Sequence, residues 1–355
     1  MQLGRPLVNR SFDLIFVSGG LTLPVLAWRL WGGSSAMLFI VAWAPLLMLL
    51  INQSHFAASS VRLYTRPGAF ARWPFLTMVL PILTIAALTL FIVFSGQIGR
   101  HLWALALSWS PFHYAAQTFG IASIYCYRSG CALNQTERRL LRVACLMPFF
   151  RSLLGGASSG YGIGMIVPPA WIEATPEAVA LLRGGIALFD VLTFAMPALL
   201  VFVVARRSRE LASLDPTGGP RRPGVPLLSL FTILASGVWF VFFDYLGAFV
   251  WATVFHGLQY LGIVATFHAR ERAGAPEARH GALYHTALLY VVCLALGYAL
   301  FQCWPRAYEL AGFGMVETTF LVIAMINIHH FIVDAFIWRI RKDPNYKTVI
   351  AESTA

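Results

Sequence analysis

Apolar residues run through this chain in long blocks, at 14–31, 36–61, 74–95, 102–126, 140–158, 179–205, 226–244, 247–268, 281–303 and 312–338. The blocks are too long for strands, which run to about ten residues at most. A helix needs ~20 mostly apolar residues to cross the hydrocarbon of a bilayer, and inside lipid it satisfies its own backbone groups. The pattern therefore predicts an all-α fold, a polytopic transmembrane bundle of about ten spans forming one integral membrane domain over 1–355. The fifth block is the least regular. It runs into a glycine-rich stretch at 155–162, expected to be an outside loop or a re-entrant segment.

Polar residues between the blocks set the orientation. Arginines gather after the even-numbered blocks: Arg62, Arg66 and Arg72; Arg128, Arg138, Arg139 and Arg142; Arg206, Arg207, Arg209, Arg221 and Arg222; Arg270, Arg272 and Arg279; and Arg339, Arg341 and Lys342. Connections after odd-numbered blocks hold only scattered members such as Arg29, Arg100 and Arg306. Cytoplasmic loops carry the excess of Lys and Arg, so both termini are expected in the cytoplasm. The segment 206–225 reads as a cytoplasmic linker between two halves, and 343–355 as a flexible tail.

Composition agrees with this picture. Of 355 residues, 58% are hydrophobic and 12% charged, about half the charge of a soluble domain; mean hydropathy is +0.70. The formal net charge of +11 lies in those loops, which fits anionic membrane lipid as the partner and argues against nucleic acid. A multi-pass membrane protein is expected. The five cysteines lack a C-x-x-C spacing and read as small buried hydrophobes.

Against this background the polar residues inside blocks stand out, because such groups are costly in lipid and mark function by default. They fall on even-numbered blocks: Asn52 and His55; His113 and Gln117; His256, Gln259 and Tyr260; Asn327, His329, His330 and Asp334. Asn52/His55, His113/Gln117, His256/Gln259 and His330/Asp334 are spaced i,i+3 or i,i+4, the spacing of one helix face. Even-numbered blocks all run toward the cytoplasm, so the distance to the next arginine measures depth. His55 is seven residues before Arg62 and His330 nine before Arg339; His113 and His256 precede Arg128 and Arg270 by fifteen and fourteen. At ~1.5 Å per residue these histidines occupy a layer on the order of 10 Å thick.

Imidazoles with a carboxylate suit a metal ion. His55, His113, His256, His329 and His330 are the candidate ligands, and Asp334 the candidate catalytic carboxylate, as ligand or as a base orienting one. Asn52, Gln117, Gln259 and Tyr260 are candidates for holding ring nitrogens or a bound cofactor. Iron is the first choice, with copper and zinc also compatible. His113 and His256, at matching depth, equally suit the axial positions of a b-type haem, and buried histidines could instead relay protons in a transporter. His101, His268, His280 and His285, near block ends, are expected to be interfacial.

The strings F-H-Y-A-A-Q-T-F-G (112–120), H-G-L-Q-Y-L-G (256–262) and I-H-H-F-I-V-D-A-F-I-W (328–338), with N-Q-S-H-F (52–56), resemble a group of multi-pass bacterial membrane proteins. That resemblance implies a place in the bacterial inner membrane and supplies no activity. More loosely, the chain is similar to histidine-rich membrane oxygenases of the desaturase, hydroxylase and carotene-cleaving types. It departs from the desaturase pattern in having one adjacent pair, His329–His330, and no H-x-x-H-H box. The leading expectation is a metal-dependent membrane oxidoreductase acting on a lipid or isoprenoid, served by a soluble electron donor at the cytoplasmic face.

Overall fold

The computed structural model describes residues 2–32, 42–213, 222–274 and 279–338. The start of the second block, the middle of the 206–225 linker and the 343–355 tail lie outside the described residues. Every regular element among the described residues is helical. The principal ones are α1 (Arg10–Val17), α2 (Thr22–Trp31), α3 (Ser54–Tyr64), α4 (Phe75–Val93), α5 (Arg100–Arg128), α6 (Gln135–Gly155), α7 (Pro176–Ser213), α8 (Leu227–Phe242), α9 (Tyr245–Ala273), α10 (Ala282–Leu310) and α11 (Met315–Ile337).

Helix thus falls within all ten apolar blocks, but the helices differ in how well they suit a bilayer. Five are long and apolar enough to cross one: α4, α7, α9, α10 and α11. The number rises to seven if each bent pair is one span, α1 with α2 (48°) and α6 with Ala157–Met165 (50°). Helix α8 is apolar but has 16 residues. Helix α5 is 29 residues long, yet Arg100, His101, His113 and Gln117 make it more polar than those five.

Local chemistry explains several boundaries. Asn134 and Glu137 close a capping box at the start of α6, each side chain meeting the other residue's backbone N–H. Before α3 the chain takes a wide π-helical turn over Met48–Gln53. Its carbonyls are answered from outside the ladder: the Ser54 hydroxyl donates to Leu49 and Leu50, and Tyr290 donates to Leu50 at 2.8 Å. Gly297 lets α10 approach this turn, because a Cβ there would stand 2.8 Å from the Gln53 carbonyl.

The described residues divide into two compact units, 2–32 with 111–256 and 42–110 with 257–338. The division falls within α5 and α9; the described residues on both sides of 214–221 belong to the first unit.

In the first unit α6 and α7 pack together, with Leu141, Ala144, Cys145, Leu200 and Val204 at the centre and Cys126 and Cys131 beside them. These cysteines are free and buried, as expected of small hydrophobes; Cys303, in the second unit, is exposed. Asp13 is fully buried, accepting from the backbone of Leu7 and Val8 and from the Tyr125 hydroxyl, which ties the N-terminal arm down. Glu137, also buried, takes both arms of Arg222 at 2.7 and 2.9 Å.

In the second unit α3, α4, the start of α5, α10 and α11 surround a core that includes Phe56, Leu88, Leu102, Phe301, Leu321, Val322 and Met325. Tyr260, Val264, Leu289 and Cys293 pack on Ala57 and Ala58.

Candidate metal site

In the second unit, three helices each contribute one stripe to a buried polar cluster. Helix α3 supplies His55, Ser59 and Arg62; α9 supplies Tyr260; the end of α11 supplies His330, Asp334 and Trp338. The spacings are i, i+4, i+7 on α3 and i, i+4, i+8 on α11, so each set lies along one helix face. Relative exposure is 6% or less for all of these except Trp338, which is half-buried.

Ser59 is the hub. Its Oγ lies 2.6 Å from Tyr260 Oη, 2.7 Å from His330 Nδ1 and 2.9 Å from Asp334 Oδ1. Tyr260 also reaches Asp334 Oδ1 at 2.9 Å, and Trp338 donates its indole N–H to Tyr260 Oη at 3.2 Å. The pairing of His330 with Asp334 suggested by the i,i+4 spacing is present, with Nε2 3.3 Å from Oδ2.

Ser59, Tyr260 and Asp334 form a triangle of oxygens, and the two hydroxyls bring one proton each. Either tautomer of a neutral His330 completes three hydrogen bonds. With the proton on Nε2, Ser59 donates to Nδ1, Tyr260 donates to Asp334 Oδ1 and Nε2–H faces Asp334 Oδ2. With the proton on Nδ1, His330 donates to Ser59, both hydroxyl protons stay inside the triangle and the Nε2 lone pair faces Oδ2, an arrangement that a proton or a metal ion between the two acceptors would hold.

Metal geometry is compatible with the second arrangement. With bonds of ~2.1 Å, ligand atoms on one ion stand roughly 3–4 Å apart, and Nε2 and Oδ2 are at 3.3 Å. A ring nitrogen of His55 lies within 4.8 Å of one of His330, the rings meeting edge-on with centroids 4.9 Å apart. Gly257 makes room for His55, since a Cβ there would stand 3.1 Å from His55 Nδ1. Two imidazoles and a carboxylate are the donors of the non-haem iron facial triad.

No protein-family model, curated protein or solved structure matches this chain. The chemistry of the site has to be read from its own residues.

Of the other sequence-predicted residues, His113, Gln117 and His256 belong to the first unit. There His113 and His256 meet with ring centroids 4.8 Å apart, inclined at 71°. Tyr114 packs against His256 at 4.7 Å and bonds Thr253 at 2.6 Å, while Gln117 Nε2 donates to the His256 carbonyl at 3.0 Å. His329 is half-buried and joins no group of potential ligands among the described residues; as the neighbour of His330 it points about 100° away around the helix. Gln259 is buried. Asn52 sits inside the π turn, which displaces it from the face it would share with His55 in an unbroken α-helix; it is half-buried, and its Oδ1 has no hydrogen-bond partner among the described residues.

Sequence reasoning missed Ser59 and Arg62 and read Trp338 only as part of a motif. Arg62, counted among the loop arginines, is 3% exposed; its guanidinium lies 5.0 Å from the Trp338 ring and 5.8 Å from Phe267. The signal was present in the register, because Ser59 and Arg62 follow His55 by four and seven positions.

Proposed function

We propose that this chain is a membrane oxidoreductase of the bacterial inner membrane, crossing it about ten times with both termini cytoplasmic. In this reading it uses a bound metal ion, iron by preference, to act on a lipid or isoprenoid. One observation carries it: His330 Nε2 and Asp334 Oδ2 stand 3.3 Å apart on α11, a helix of membrane-spanning character, with a His55 nitrogen close by.

Iron held there would supply one-electron chemistry and activation of O₂ for hydroxylation, desaturation or cleavage. The protein's own part is positional. Ser59 fixes the His330 ring through Nδ1, which raises the basicity of Nε2 and holds its direction. Tyr260 and Ser59 share Asp334 Oδ1, leaving Oδ2 turned toward His330. The apolar core around Phe56 and Phe301 excludes water. Substrate would enter from the lipid, and electrons from a soluble donor at the basic cytoplasmic face.

The His113–His256 pair favours the metal reading over haem. Axial ligands of one haem flank the porphyrin plane, with ring centroids about 6 Å apart. At 4.8 Å and steeply inclined, these rings leave no space for a macrocycle.

Elemental analysis of protein purified without chelators tests the proposal. Near-stoichiometric iron, copper or zinc is expected, lost in His330→Ala and in His55→Ala and retained in His280→Ala. Wild-type protein free of all three metals would sink it.

A further inference from the structure

We propose that Tyr260 and Trp338 form a one-electron relay from the histidine–carboxylate cluster to the cytoplasmic end of α11. The inference rests on the metal reading for its oxidant, but on separate residues and geometry.

The path is continuous within one unit. The Tyr260 ring lies 5.7 Å from both His55 and His330, approached edge-on. Trp338 stands 5.6 Å from the Tyr260 ring, nearly perpendicular, with its N–H on Tyr260 Oη. Trp338 is half-buried and ends α11 immediately before Arg339. A cluster interior is thereby joined to its rim by two of the most readily oxidised side chains, with no aliphatic residue between them.

Hydrogen bonding at Tyr260 goes further than packing requires. A buried tyrosine needs one partner for its hydroxyl; here the indole donates to Oη while Oη faces both Ser59 and Asp334. Loss of an electron from a phenol makes its proton strongly acidic, so oxidation in a dry interior needs an acceptor already in place. Asp334 Oδ1, 2.9 Å away, is that acceptor.

The step balances as follows. One electron would leave Tyr260 for a one-electron oxidant, the bound metal ion under the proposed function; the O–H bond breaks at Oη and forms at Asp334 Oδ1, leaving a neutral phenoxyl and a carboxylic acid. An electron from a soluble one-electron carrier, passing through Trp338, and return of the same proton restore phenol and carboxylate. The Arg62 guanidinium over Trp338 opposes positive charge on the indole. The vacancy therefore rests on Tyr260, and Trp338 is only the link.

The full-length protein in detergent is oxidised by a laser flash with a ruthenium polypyridyl sensitiser and persulfate, a route that needs no bound metal. Electron paramagnetic resonance then reads the radical. A tyrosyl signal is expected in wild type and lost in Tyr260→Phe, although the chain has 12 tyrosines. Infrared difference spectra should show a new carboxylic-acid band, absent in Asp334→Asn. In Trp338→Phe, re-reduction of the radical by an added one-electron donor should slow. An undiminished tyrosyl signal in folded Tyr260→Phe, or an unchanged re-reduction rate in Trp338→Phe, overturns the relay. A Tyr260 radical in metal-free protein would uphold the relay while removing the proposed function; metal-loaded protein without that radical would do the reverse.

Discussion

At the scale of single residues, the candidate site turns on a serine. One hydroxyl meets a phenol, an imidazole and a carboxylate from two other helices, so its removal leaves several buried polar groups short of a partner at once. Such groups cost about 1–3 kcal/mol each when orphaned. Ser59→Ala is therefore expected to lower stability by about 2 kcal/mol and metal affinity by roughly 10- to 100-fold, read by thermal unfolding and by metal titration. Ser59→Thr keeps the hydroxyl and should recover much of the affinity; recovery as poor as in Ser59→Ala would argue that Ser59 only fills space. Histidine and aspartate were legible at this scale, because ionisable residues in apolar blocks call attention to themselves. Serine did not, since small hydroxyls are common in membrane helices and usually bond their own backbone, as Thr84 and Ser110 do here.

Helices carry the next level of the argument. A pattern of apolar residues reveals that a segment is helical, and an i,i+4 spacing reveals which residues share a face, so the His330–Asp334 pair could be read in advance. The same rule misplaced Asn52, because the π turn over Met48–Gln53 changes the phase just before His55. That turn depends on Ser54, Tyr290 and Gly297, the last two of them more than 200 positions away. Gly297→Ala would press a methyl against the Gln53 carbonyl and should cost about 1–3 kcal/mol. Gly184→Ala, on α7 with nothing within 4 Å of the new carbon, should leave stability unchanged or raise it by up to ~1 kcal/mol. Similar losses in both variants would contradict this packing. At the head of α6, Glu137 both caps the helix and holds Arg222. Glu137→Ala should destabilise by about 3 kcal/mol, since it strands a largely buried guanidinium, and Glu137→Gln by less; differential scanning in detergent separates them.

Across the whole molecule, orientation is the open prediction with the simplest readout. Arginine placement predicts a cytoplasmic C-terminus, so a fluorescent-protein fusion there should mature and an alkaline phosphatase fusion should stay inactive. The opposite pattern would reverse the assigned sides and remove the basic face offered to a soluble donor. The interleaved units are a separate lesson. A linker rich in arginine, glycine and proline suggested two consecutive halves, whereas among the described residues each compact unit gathers two separate stretches of the chain. The amino-acid order alone settled that the fold is helical and apolar enough for a membrane, because solvent preference sums over neighbours along the chain. Which side chains meet was decided by packing: Ser59 joins Tyr260, His330 and Asp334 across 201, 271 and 275 positions. Contacts of that range arise from how helix faces fit together, and no local periodicity encodes the fit.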